Sequence, residues 1–356
     1  MTPLGDLLAR RIAQTGPIRL SDYMAECLMH PEHGYYTRRR VFGRGGDFIT
    51  APEMTQVFGE LLGLALAQAW LDQGSPPRVT LAELGPGRGT LMADVLRAVR
   101  VVPAFRAALT PVLVEASPAL RAVQAERLAG TGAVWADGAE ALPEAPLFLL
   151  ANEFFDALPI RQFRRAGAGW AETVVGLDGD GRLALGRTAP APLAALAHRT
   201  GLPEGTIVEI CPAAPAIMAA VAGRIARHGG AAIVIDYGGW DGTGDTLQAV
   251  QDHAYAHPLA APGLADLTAH VDFAPLARAA EAAGAAAGPL VPQGILLARL
   301  GIAARAAALA RHLAPDARAP LEAAAARLTD PAQMGTLFKA LPVRPRGAPA
   351  LPGFAP

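Results

Sequence analysis

The stretch "LAELGPGRGTLMADVLR", Leu81 to Arg97, decides how the rest of the chain is read. An apolar run gives way to Gly85, Pro86, Gly87, Arg88 and Gly89, and an amphipathic segment follows from Thr90. That order predicts a buried strand, a bare loop and a helix. Glycine has no Cβ, so it accepts either sign of φ and lets a ligand come close to the backbone. The helix from Thr90 aims its free N–H groups and the positive end of its dipole at the same spot. A dinucleotide loop would read G-x-G-x-x-G, whereas the spacing here is G-x-G-x-G with Pro86 between the first two glycines. Glu83, just before the loop, would repel a pyrophosphate but suits a ligand with a cationic amino-acid end. Glu115, closing "PVLVEAS" one strand-helix unit later, is placed to accept hydrogen bonds from a ribose diol. S-adenosylmethionine has both parts. Plainer readings stand beside these: Glu83 as a solvated strand end, Glu115 as part of a helix cap near Ser117, and Asp137 in "WADG" as a turn residue instead of a contact to the adenine amino group.

Working outward, short apolar runs alternate with helical segments after Pro77: "VTLAEL", "TLMADVLRAV", "PVLVEA", "SPALRAVQAERLA", "AVWAD" and "PLFLLANEF". This alternation predicts an α/β fold with a parallel sheet and crossover helices on both faces. Ser117 and Pro118 mark a helix start as N-cap and first helical residue. Residues 1–75 read as a mostly helical lead-in with a glycine-rich loop, "HPEHGYYTRRRVFGRGGDFITAP", and residues 76–159 as the first part of the core. Residues 160–205 read as an antiparallel β insertion that turns at Gly167 to Gly169 and Asp178 to Gly181. The core resumes over 206–345, and the Pro/Gly-rich 346–356 reads as a loose tail.

Composition narrows the function classes. Hydrophobic residues make up 52% of the chain and charged ones 18%, which fits a well-buried globular enzyme. The formal net charge is −1, so the basic excess of a nucleic-acid binder is missing. No apolar run approaches the ~20 residues of a membrane span, and the N-terminus reads as an amphipathic helix, so a cytoplasmic protein without membrane insertion is expected. Cys27 and Cys211 are the two cysteines and stand far apart, which suits a reducing compartment and neither a disulfide framework nor a zinc site. His30 with His33, and His253 with His257, lack a third ligand pattern, and no G-x-S-x-G elbow occurs.

A second constellation, "ANEFFDALP", spans Ala151 to Pro159. "PLFLL" reads as a buried strand, so its carboxyl end carries Asn152, Glu153 and Asp156 to the edge where open α/β sheets bind ligands. Two acids three residues apart beside Phe154 and Phe155 make a negative site with apolar walls, whose natural occupant is arginine. A guanidinium keeps its proton up to a pKa above ~12, so an enzyme holds and orients it without deprotonating it beforehand. Glu153 and Asp156 are the candidate catalytic acids, with Asn152 beside them. The plainer reading has Asp156 capping a turn and both phenylalanines in the core.

The blocks "TGPIRLSDYMAECLMHPEHGYYTRRRVFGRGGDFITAPEMTQVFGELLG", "AELGPGRGTLMADVLRA", "VEASPALRAVQ", "LANEFFDALPIRQF", "GGAAIVIDYG" and "ADLTAHVDF" resemble the MidA-type S-adenosylmethionine-dependent methyltransferases, from about Gly16 to Phe338. That family includes a mitochondrial complex I assembly factor that methylates an arginine of a core subunit. The resemblance implies a seven-stranded Rossmann-like methyltransferase core, with cofactor at Gly85, Gly87, Gly89 and Glu115; Glu83, Pro86 and Thr90 join them from the loop. It also implies that "NEFFDALP" lies beside the transferring methyl group, that Asp47 and Glu53 form a lid, and that the partner is a complex I core subunit. Asp236, Tyr237, His270 and Asp272 are further candidates for the same pocket, the last two on one strand face of "LTAHVDF". A nicotinamide-dependent oxidoreductase and a non-enzymatic assembly chaperone are the rival readings.

Overall fold

Val79–Leu84 (β1) is buried at every position, as a strand between two parallel neighbours must be. Those neighbours are Leu109–Val114 (β2) and Leu147–Asn152 (β4), both parallel to it, and Val134–Ala136 (β3) extends the sheet beyond β2. Gly230–Gly239 (β5) pairs parallel with β4. Ala285–Ala287 (β6) and Phe338–Pro345 (β7) close the other side, with β7 antiparallel to both β5 and β6. The path is β6-β7-β5-β4-β1-β2-β3. The computed structural model describes residues 2–37, 50–199, 201–251 and 254–355. It divides into two units: Met1–Phe48, Asp156–Ala214 and Gly239–Asp272 form the first, and Ile49–Phe155, Pro215–Gly238 and Phe273–Pro356 the second.

The second unit holds the parallel sheet. Register brings its strand ends level: Leu84 pairs with Val114 on one side and Ala151 on the other, and Asn152 pairs with Ile235. Residues just past these strands therefore share one edge. Gln56–Asp72 (α1) packs on Thr90–Ala98 (α2), and the contact explains two glycines that sequence reading passed over: a Cβ on Gly59 would fall 2.7 Å from Asp94 Cβ, and one on Gly63 would fall 3.0 Å from Val95 Cγ1. Buried Glu60 on α1 binds Arg305 at 2.7 Å and Arg97 at 3.4 Å, so the carboxylate is paired where it leaves water. Sequence periodicity reads Pro52 to Leu71 as one helix. It breaks instead at Thr55, whose extended backbone (φ −158°, ψ 136°) and hydroxyl cap α1, accepting from the Val57 N–H at 3.2 Å.

In the first unit, helices Pro3–Thr15 and Leu20–Met29 bury Leu4, Leu8, Tyr23, Met24 and Cys27 against Ile160 and Val175. The strands Arg161–Ala166, Gly169–Leu177 and Leu183–Arg187 form the meander, and Ile207–Ile210 pairs with its first strand. Phe163 and Trp170 lie buried with Leu196 and Val208 in a cluster of their own.

Two further expectations give way. The 346–356 tail is not loose, because Leu351 and Phe354 are each 2% exposed within the main core cluster; two apolar anchors outweigh the Pro/Gly composition around them. "LTAHVDF" is not one strand: pairing covers Asp266–Thr268 and Val271–Asp272, and Phe273 opens the helix Phe273–Ala282. No single helix among the described residues is long and apolar enough to cross a membrane.

Candidate active site

The loop after β1 is left-handed at Gly85 (φ +62°), Gly87 (φ +50°) and Gly89 (φ +76°), a run of backbone that side-chain-bearing residues rarely sustain. Gly85 is constrained twice, since a Cβ there would stand 2.8 Å from Phe154 Cδ2. The Gly89 N–H donates to the Pro86 carbonyl at 2.7 Å, and Gly89 is the N-cap of α2. Thr90 Oγ1 donates to Glu53 Oε1 and accepts from Arg127 Nη1 at 2.8 Å. Glu53 lies in the first turn of Ala51–Met54, so that segment reaches the glycine loop. Asp47 lies outside the described residues.

Glu83, the penultimate residue of β1, is only 3% exposed. Burial pushes its carboxyl up to about 8; a hydrogen bond from the Met92 N–H works against this, and the charges of Asp94 and Glu115 add to it. No donor reaches Glu83 Oε2 among the described residues. Glu115 is 8% exposed and takes the Ser117 N–H on Oε1 at 2.8 Å and Gln124 Nε2 on Oε2 at 3.2 Å. Burial raises its pKa, and the bonds from Ser117 and Gln124 restrain the rise. Ser117 is the N-cap of Pro118–Arg127 (α3), so Glu115 is joined to the cap and faces the glycine loop through Gln124. Asp137 is 91% exposed at its side chain and pairs with Arg121 at 2.5 Å.

Beside this loop, Asn152 ends β4 and Glu153 takes φ +50°, a left-handed state costing a non-glycine residue ~1–3 kcal/mol. Surrounding bonds hold it there. The Glu153 N–H donates to the Ile235 carbonyl at 2.9 Å, and its Oε1 accepts from the Ala51 N–H at 3.2 Å and from Asn152 Nδ2 at 3.0 Å. Asn152 Oδ1 is buried with no donor among the described residues. Asp236, fully buried, explains the sharp turn: Oδ2 accepts from the Phe154 and Phe155 N–H groups at 3.2 and 3.0 Å, and Oδ1 from the Tyr237 N–H at 3.0 Å. It holds the segment that carries Glu153.

Residues 61–290 match the sequence model of a family of S-adenosyl-L-methionine-dependent methyltransferases. The chain is 38% identical over 375 residues to the protein arginine methyltransferase NDUFAF7 homolog of Drosophila melanogaster, covering 96% of this chain and 85% of that one. It is 37% identical over 368 residues to human protein arginine methyltransferase NDUFAF7, covering 95% and 82%. A COG1565 superfamily member from Burkholderia thailandensis, crystallised with S-adenosyl-homocysteine, superposes with a TM-score of 0.86 at 32% identity, over 99% of this chain and 94% of that one. The chain belongs to this methyltransferase family.

S-adenosylmethionine is the cofactor of the methyltransferase family, and the residues present fit it. A buried Glu83 oxygen with no donor among the described residues, a bare left-handed loop and a braced acceptor at Glu115 suit a cationic amino acid joined to a ribose. The remaining candidates lie in the first unit. Asp156 is 6% exposed, and its carbonyl accepts from the Ala269 N–H at 3.0 Å. His270 is exposed, with its N–H on Thr246 Oγ1 at 2.8 Å, and Asp272 stands 3.7 Å from Arg199. Arg161 forms a bidentate pair with Glu172 at 2.7 Å per bond.

Sequence reading missed Arg121, whose Nε donates to the Glu115 carbonyl at 2.7 Å, and Gln124. The available signal was a polar residue in the middle of the Leu120, Gln124, Leu128 stripe, all three of which are buried along α3 and its C-cap.

Two results are expected at this edge. Glu115→Ala should weaken S-adenosylmethionine binding by ~1.5–3 kcal/mol by calorimetry, because hydrogen bonds to a charged acceptor are lost. For Glu83, the folded pKa stands above the ordinary 4.5, so the folded chain keeps a proton there that the unfolded chain releases. Stability then falls as pH rises from about 4.5 to about 8, and above about 8 the whole cost of the buried charge is present. Urea unfolding of Glu83→Gln should show a gain over the parent chain that widens between about pH 5 and about pH 9; a gain independent of pH would contradict the assignment.

Proposed function

We propose that this methyltransferase transfers a methyl group to an arginine side chain of a protein, a core subunit of respiratory complex I during assembly. The observation that carries the reading is Glu153: a half-buried carboxylate in a left-handed backbone state, braced by Ala51 and Asn152 beside the buried Asn152 Oδ1. When bound, S-adenosylmethionine supplies a methyl group on a positively charged sulfur. Glu153 accepts N–H donors of the guanidinium fork, and Asn152 Oδ1 takes another, fixing which nitrogen faces the cofactor edge. Because the guanidinium enters charged, the Glu153 carboxylate holds and neutralises it during transfer and takes up the proton that the methylated nitrogen sheds.

Arginine as the target is supported by the names of the relatives and by the Glu153 carboxylate beside the glycine loop, which suits a cationic side chain. The complex I subunit is supported by the resemblance of the "NEFFDALP" and glycine-rich blocks to the assembly-factor family. Two free cysteines fit a reaction in the cytoplasm. Incubation with methyl-labelled cofactor and complex I core subunits, followed by hydrolysis to amino acids, should place the label in methylarginine. Label in lysine or glutamine derivatives would overturn the reading.

A further inference from the structure

We propose that Gln124 is a positioning residue that sets how this enzyme reads the ribose of its cofactor, an inference that rests on the cofactor reading of the glycine loop and Glu115. Gln124 is fully buried on α3, in line with Leu120 and with Leu128 just past the helix, where a polar side chain must find hydrogen-bond partners. Its amide is fully used. Nε2 donates to the Gly87 carbonyl at 2.7 Å and to Glu115 Oε2 at 3.2 Å, and Oε1 accepts from Trp135 Nε1 at 2.7 Å.

The indole N–H can only donate, so it fixes which way the amide points. Only with Oε1 toward Trp135 do both amide hydrogens face the loop and the acid. Gly87 lies at the centre of the left-handed loop, and Glu115 has its other oxygen taken by the Ser117 N–H at 2.8 Å. One side chain therefore ties the glycine backbone to the ribose acceptor and leaves the carboxylate a single orientation. The chain of bonds runs from Trp135 in β3, through Gln124 on α3, to Glu115 just past β2.

The test is calorimetric titration with S-adenosylhomocysteine and with its 2′-deoxyribose analogue. The parent chain should prefer the ribose form. Gln124→Leu should weaken the ribose ligand about tenfold or more, the loss of one hydrogen bond to a charged group, and leave the deoxy ligand nearly unchanged, so the preference collapses. Trp135→Phe keeps the glutamine and removes only the indole lock, and should give a smaller loss of the same preference. Thermal unfolding of both variants reports whether the fold survives, and the Trp135 variant carries the test if Gln124→Leu does not fold. Equal weakening of both ligands, or an undiminished preference in both variants, would overturn the proposal. Failure of the parent chain to prefer the ribose form would overturn the cofactor reading of Glu115, and the proposal with it.

Discussion

Glu153→Gln is expected to lower the turnover of methyl transfer by ~10²–10³-fold, the scale of removing one charge-stabilising group from a water-excluded site. Affinity for S-adenosylhomocysteine should stay within about twofold, below the ~0.4 kcal/mol at which an effect becomes a contribution. The reason lies in how the side chain is held. Glutamine keeps an oxygen to accept from the Ala51 N–H and from Asn152 Nδ2, so the turn survives and only the negative charge is lost. Single-turnover kinetics and calorimetry on the same preparation check both halves. Loss of cofactor affinity as large as the loss of turnover would mean that Glu153 belongs to the cofactor site.

Gly85→Val should abolish cofactor binding and transfer together. The substituted residue must sit at φ +62°, which costs an L-residue ~1–2 kcal/mol, and its Cβ meets the Phe154 ring at 2.8 Å. The Phe154 ring packs edge-on against Phe155 with centroids 5.1 Å apart, and Asp236 holds the Phe154 N–H at 3.2 Å, so both ring and backbone have neighbours to displace. The substitution therefore disturbs the loop and the turn that carries Glu153 at once. Gly89→Ala is the control: its Cβ meets nothing closer than 3.5 Å, so only the backbone cost remains and binding should weaken modestly. If calorimetry showed Gly85→Val binding like the parent chain, the cofactor would not lie on this loop.

The parallel sheet was legible because its strands are continuous apolar runs, and β1 occupies the residues read as "VTLAEL". Local signals that depend on a few neighbouring residues also held, such as Ser117 and Pro118 opening α3. What sequence did not show were contacts between residues far apart in the chain. Asp236 reads as a turn former at a strand end, and its partners Phe154 and Phe155 lie 82 and 81 residues away. Gln124 reads as one polar residue in a helix, and its meaning comes from Gly87, Glu115 and Trp135 on three other segments. Glu153 was legible as an acid at a strand end. Its left-handed backbone was not, since nothing local favours φ +50° for glutamate and the neighbouring bonds impose it. The tail misled by composition, because Pro and Gly outnumber the two residues, Leu351 and Phe354, that fix it.

The most direct measurement is quantitative mass spectrometry of complex I core subunits from cells that carry this chain, lack it, or carry only its Glu153→Gln form. One arginine should be methylated in the first case and unmodified in the other two. The same methylated arginine in all three would contradict the assignment of this chain as the arginine methyltransferase and of Glu153 as the residue that holds its substrate.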